Sequence, residues 1–136
     1  MKRTLIMLLF LSLIVVACSS GKSATLAGTW KLTAYGPKDS PSPAVPDAEA
    51  TLSFGNDGTV GGSGGCNSLG GTYEVDGNQI TFHDITSTLM ACDDARMAQE
   101  STVNQVLTGT ADYVIDGNTL TLTNNDTVLV FGASNP

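Results

Sequence analysis

The feature that most constrains the fold of this chain is an internal echo. Tyr73-Glu74-Val75-Asp76-Gly77-Asn78-Gln79-Ile80-Thr81 returns forty residues later as Tyr113-Val114-Ile115-Asp116-Gly117-Asn118-Thr119-Leu120-Thr121. Each copy sets apolar residues at alternate positions on both sides of an Asp-Gly pair, and glycine enters positive φ without a Cβ clash. The pattern predicts two similar hairpins of one antiparallel sheet. Two copies are too few for a solenoid, which needs at least about three repeats.

The rest of the chain extends that sheet. Trp30, Leu32 and Ala34 alternate with Lys31, Thr33 and Tyr35, and Ala50, Leu52 and Phe54 share one face before the turn Asn56-Asp57-Gly58. Val60 restarts a strand that runs into Gly61-Gly62-Ser63-Gly64-Gly65, and Val128 to Phe131 reads as a last, buried strand. Pro37, Pro41, Pro43 and Pro46 fall in one segment without apolar periodicity, which predicts a surface loop. Asp93 or Asp94 can cap a single helix with Ala95, Ala98, Thr102 and Val106 on its apolar stripe, flanked by Met97, Val103 and Leu107 and ended by Gly109. The expected class is α+β: an antiparallel sheet or partly open barrel of about eight short strands, with one helix packed against it.

The N-terminus predicts where such a domain works. Lys2 and Arg3 precede Leu5–Ala17, a nearly unbroken apolar run too short to span a bilayer. It ends in Val15-Val16-Ala17-Cys18, which resembles the bacterial lipobox, in which the cysteine becomes the first mature residue and carries lipid. Residues 1–17 then read as a lipoprotein signal, 18–25 as a lipidated Ser/Gly-rich tether and 26–133 as the domain. Removing residues 1–17 of the 136 leaves 119 and takes the formal charge from −7 to −9, because only Lys2 and Arg3 leave. A surface so short of cations cannot neutralise phosphates, which excludes nucleic acid as a partner and disfavours anionic headgroups. Membrane attachment would rest on acyl chains at Cys18; lipoproteins of this type carry three. Ser19 behind the cysteine resembles an outer-membrane sorting signal in a Gram-negative host.

Cys66 and Cys92 are the remaining thiols. Export past the cytoplasm favours their oxidation to a disulfide, which for such a loop is valued at roughly 3–4 kcal/mol. The alternative is a thiol nucleophile served by His83, the only histidine. Its would-be orienting group, Asp84, is the next residue, and on a strand it points to the opposite face.

Around those cysteines lies a more specific pattern. Gly65-Cys66-Asn67, then Gly70 and Tyr73, then Thr88-x-Met90-Ala91-Cys92, then Glu100 on the helix, together resemble the META domain, also called the heat-shock HslJ-like family. Leu26-x-Gly28-Thr29-Trp30-x-Leu32 and Tyr113-x-Ile115-x-Gly117-x-x-Leu120-x-Leu122 fit the same pattern, so the resemblance runs from Leu26 to Phe131. It implies a compact antiparallel domain, often a bacterial lipoprotein, tied to heat shock, envelope stress or virulence, and no mapped active site. Gly65, Asn67, Gly70, Tyr73, Thr88, Met90 and Glu100 would then be structural. The family often places basic residues after the Asn and before the Met-Ala-Cys; here those positions hold Ser68 and Leu89.

The residues themselves agree with a structural role for the motif. Asn67 tolerates left-handed backbone and can bond a turn, Thr88 can pin the segment leading to Cys92, and Trp30 and Tyr73 suit core sites with polar ends at the edge. The glycine tract lacks the Lys-Ser/Thr ending of a phosphate loop, and Asp57, Asp76, Asp116 and Asp126 lack calcium-loop spacing. Neither a cofactor nor a metal is expected. The expected function is a non-enzymatic, monomeric, lipid-anchored envelope domain contacting an envelope protein through its glycine tract and proline loop. The alternative is a small-ligand or carrier module with a pocket at a barrel mouth; an enzyme would need a titratable cluster in a cleft.

Overall fold

The computed structural model describes residues 25–134. Residues 1–24, which include the expected signal segment and Cys18, lie outside the described residues. Nine strands and one helix follow in order: β1 (Gly28–Pro37), β2 (Ser42–Pro43), β3 (Thr51–Phe54), β4 (Thr59–Ser63), β5 (Ser68–Asp76), β6 (Gln79–Ser87), α1 (Asp94–Val106), β7 (Gly109–Asp116), β8 (Thr119–Asn124) and β9 (Thr127–Ala133). All neighbours are antiparallel, in the order β1-β3-β4-β5-β6-β7-β8-β9. β9 pairs back onto β1, from Trp30↔Ala133 to Pro37↔Thr127, so eight strands close into a barrel. Closure removes the exposed edges that an open sheet would present. The short β2 pairs with Ala34 and Tyr35 of β1, and Ala44 N donates to Thr33 O at 2.9 Å, so the proline segment is fixed to the barrel where the sequence predicts only loop.

Alternation explains the closure. Trp30, Leu32, Leu52, Phe54, Ile80, Phe82, Leu120, Leu122, Leu129 and Phe131 are buried, while Thr29, Lys31, Ser53 and Thr81 between them stay open or partly open. Each fully buried Leu, Ile or Phe contributes about 1.5–3 kcal/mol, so the packed barrel interior is the main source of stability. Trp30 is held at its polar end by Nε1 donating to the Leu26 carbonyl at 2.8 Å.

The two ends of the barrel differ. At one end the chain reverses three times through short turns with Gly58, Gly77 and Gly117 at φ of 80°, 60° and 56°. Each turn hands a carbonyl to the next strand: Gly58 O accepts from Tyr73 N, Asn78 O from Tyr113 N and Asn118 O from Ala133 N, all at 2.8 Å. The echo in the sequence is this repeat, since Tyr73 and Tyr113 open each copy by bonding the preceding turn. Tyr73 also stacks edge-on to Phe54, with centroids 5.1 Å apart, and donates its hydroxyl to Gly55 O at 2.8 Å. Burial, and then the charge of Asp57, pushes its phenol above the usual value. The Thr59 hydroxyl, then the Thr59 N–H, hold the Asp57 carboxyl below its usual value, with contacts of 2.6 and 3.1 Å to Oδ1.

At the other end α1 packs against β1, β7, β8 and β9 and closes the barrel. Asp93 caps it, accepting from Arg96 N at 3.1 Å, and Asp94 adds a favourable charge in the first turn. Its C-terminal half follows the expected stripe, with Val103, Val106 and Leu107 buried. Its N-terminal half does not. Ala95, Met97 and Ala98 are exposed, and Gln99 and Glu100 take the inward face instead. The buried face of the helix runs on through these two polar residues because their side chains bond backbone groups of Val45, Gly64, Cys66 and Asn67.

Candidate functional site

Glu100 is 6% exposed and accepts from three donors. Oε2 receives Cys66 N at 3.1 Å and Asn67 N at 2.5 Å, and Oε1 receives Asn67 Nδ2 at 2.6 Å. Asn67, also buried, uses the rest of its amide on the segment after β6: Oδ1 accepts from Thr88 Oγ1 at 2.8 Å and Met90 N at 2.6 Å, while Nδ2 also donates to Met90 O at 3.2 Å. Thr88 Oγ1 accepts in turn from Ser68 N at 3.2 Å. Gln99, fully buried, donates to Gly64 O at 3.0 Å and accepts Val45 N at 2.7 Å. Three separate segments, at Val45, Gly64–Ser68 and Thr88–Met90, are thus clamped onto one helical turn. Among the described residues no buried side-chain polar atom lacks a partner. Charge-assisted bonds of this kind are worth about 1.5–3 kcal/mol each, and leaving their buried donors unpaired costs as much again.

The glycine tract exists to admit this helix. A Cβ on Gly64 would stand 2.7 Å from Glu100 Cγ, and one on Gly65, at φ +116°, 2.7 Å from Gln99 Nε2. The tract is therefore packed under α1 and against β3, which corrects its reading as an exposed contact surface. Asn67 takes no positive φ; Gly65 takes it, and Asn67 acts through its side chain. Gly70 has ordinary room for a Cβ, 3.8 Å from Val60 O, whereas a Cβ on Gly71 would meet His83 O at 2.7 Å beside the β5–β6 bulge.

Cys66 and Cys92 form a disulfide with Cα atoms 6.0 Å apart, tying the tract to the start of α1. With both sulfurs bonded, His83 has no thiol to serve. It lies on the outer face with Nε2 3.8 Å from Glu74 Oε2, a pair too exposed to add much stability. The turn aspartates do not converge, since Asp57, Asp76 and Asp116 lie at the hairpin end and Asp126 at the helix end. No group of three His, Cys, Asp or Glu able to hold a metal occurs among the described residues.

Beside the clamp lies a cleft of about 470 Å³, floored by Asn67 and Glu100. Leu89 and Met90 stand on one side, Met97, Ser101 and Asn104 on the other. Leu89 is 96% exposed, Met90 57% and Met97 39%. Met90 is fixed through its backbone N–H and carbonyl while its side chain stays free. Sequence reasoning missed Gln99 and this apolar rim. The signal for Gln99 was its place four residues before Val103, on the buried face. Leu89 stood out only as an apolar residue where a basic one is common.

A family model for the META domain matches residues 24–135, which takes in every described residue. The chain belongs to the META domain family. Among solved structures, the META domain is similar to a protein from Burkholderia xenovorans solved by NMR. That likeness has 25% identity, covers 80% of this chain and 83% of the other, and has a TM-score of 0.66. It also shares its fold with a DUF4847 family protein from Bacteroides vulgatus, at 20% identity and TM-score 0.59, covering 81% and 94% of the two chains. Comparison with curated proteins finds no match. None of the matching descriptions carries an enzymatic activity.

Proposed function

We propose that this META domain is a non-enzymatic module of the bacterial cell envelope, anchored by lipid on Cys18, that serves envelope stress tolerance or virulence by binding another envelope protein. The observation that carries the reading is the rim of Leu89, Met90 and Met97. These are large apolar side chains left in water, on backbone that the Glu100–Asn67 clamp and the disulfide hold rigid. Rigid presentation lowers the ordering cost of binding, and methionine adapts to varied partner surfaces. The mature charge of −9 favours a partner whose apolar contacts are flanked by Lys or Arg. Where family members often carry a base, Leu89 makes this surface apolar, so an anionic ligand is not its natural occupant. The cleft volume of about 470 Å³ is what favours the second reading, a small-ligand module.

A photo-crosslinking residue at Leu89 in intact cells tests the proposal, with the same residue at exposed Pro43 as the comparison. A discrete protein adduct from position 89 supports it. An adduct from position 43 alone would move the contact to the proline segment, and then joint replacement of Pro41, Pro43 and Pro46 should abolish capture. No adduct from either position, with a small molecule co-purifying, would favour the ligand module. Cys18→Ala, made in the same strain, reads whether capture needs the anchor.

A further inference from the structure

We infer that the hairpin end of the barrel faces the membrane and that the Leu89–Met90–Met97 rim points away from it, toward partners arriving from the aqueous side. The inference rests on lipidation of Cys18. Its structural part is where the described domain begins. Gly28 pairs with Phe54 beside the Gly55–Gly58 turn, Trp30 bonds Leu26, and Ser134 N donates to Thr29 O, so Thr25 leaves the barrel at the hairpin end. The rim follows Ser87, at the opposite end of β6 from the Gln79 turn.

Tether length decides the orientation. Cys18 to Thr25 is seven Cα steps, which span at most about 25 Å. β1 has ten residues, roughly 33 Å along the strand, or about 25 Å along the axis at ordinary barrel tilt. Turning the rim onto the bilayer would require the tether to run the whole barrel length at full stretch. Charge does not oppose this arrangement, because both ends are acidic. Asp57, Asp76 and Asp116 mark the hairpin end, and Asp39, Asp47, Asp93, Asp94 and Asp126 the helix end, where Lys38 and Arg96 also lie; Lys31, beside Glu49, is the remaining Lys or Arg of the described residues. Neither end is drawn to anionic headgroups, and repulsion acts within a Debye length of about 8 Å. The domain therefore stands off the surface on its tether with the groove outermost. A partner embedded in the same leaflet would not reach it; a soluble protein, or one reaching across the envelope, would.

The test uses the full mature chain in vesicles of neutral lipid with a fraction of anionic lipid and an acceptor dye on the headgroups. A donor dye is placed at Asn78, on the hairpin turn, or at Leu89, on the rim. The account expects about twofold or greater transfer from position 78 over position 89, given ends about 25 Å apart. Ten added Gly/Ser residues after Ser23 should erase that difference. Equal transfer with the native tether, or stronger transfer from Leu89, would overturn the orientation. Mass spectrometry of the Cys18 peptide from cells reads the anchor separately. The same labelled chain coupled through Cys18 to a maleimide lipid reads the geometry even if the natural lipid is absent.

Discussion

At one end of this barrel three reversals are made by turns of a few residues, each with a glycine at positive φ and each passing a carbonyl to the next strand. At the other end the chain is held by side chains far apart in sequence, from Thr88–Asn67, 21 residues apart, to Val45–Gln99, 54 apart. The first end is local and repeats. The second is unique, polar and assembled only when three segments meet on the Gln99–Glu100 turn, the Thr88–Met90 segment through Asn67. Local turns close short loops at small entropic cost, whereas the clamp closes long ones and fixes the surface that a partner would meet. Scaffold and presented surface are thus separated along the barrel axis.

The largest expected effect breaks the helix end. Asn67→Ala leaves Glu100, Thr88 and both backbone groups of Met90 short of partners, and should lower stability by on the order of 4 kcal/mol in urea unfolding. Glu100→Ala combined with it should cost less than the sum, with a coupling of about 1–3 kcal/mol, because the two share bonds. Replacing Cys66 and Cys92 together by Ser should cost roughly 3 kcal/mol and perturb amide shifts at Gly64–Asn67 and Thr88–Asp93 while sparing the hairpin turns.

Smaller effects belong to the hairpin end. Gly77→Ala and Gly117→Ala put a Cβ into open space, so their cost is backbone alone, about 1–2 kcal/mol each and additive. Additivity would sharpen the contrast with the coupled clamp, and strong coupling between the two turns would erase it. The smallest effects are in pH. Asp57 has a lowered folded value, so its contribution is present above the ordinary carboxyl value of about 3.9 and is lost as pH falls through the folded value. Tyr73 has a raised folded value, so stability is fully present below about pH 10 and declines as pH rises toward the folded value. Tyr73→Phe should remove that alkaline decline, and Asp57→Asn the acid one, in melts scanned across pH.

The same division explains what could be read from the sequence. The hairpin end was legible because glycine conformation and period-two patterning act within a few residues; the echo located β5–β6 and β7–β8, and alternation placed Leu52, Phe54 and Ile80 inside. Closure of β9 on β1 was open in the pattern, since nothing local distinguishes a curled sheet from a closed one. At the helix end the apolar stripe misdirected. Ala95, Ala98 and Met97 fit helical spacing, yet burial goes to Gln99 and Glu100, because unpaired amides at Gly64–Asn67 cost more than exposing small apolar side chains. Only a family resemblance marked Glu100, and nothing local marked Leu89, whose exposure depends on how the β6–α1 segment is pinned.

The central claim, that Glu100 holds the helix end independently of the hairpins, is tested most directly by amide hydrogen exchange at Cys66, Asn67 and Tyr113. The account predicts that Cys66 and Asn67, though outside the strands, exchange as slowly as core amides such as Ile80. In Glu100→Ala they should open while Tyr113, bonded to Asn78, keeps its protection. Rapid exchange at Cys66 and Asn67 in the unaltered protein, or loss of protection at both ends together, would contradict it.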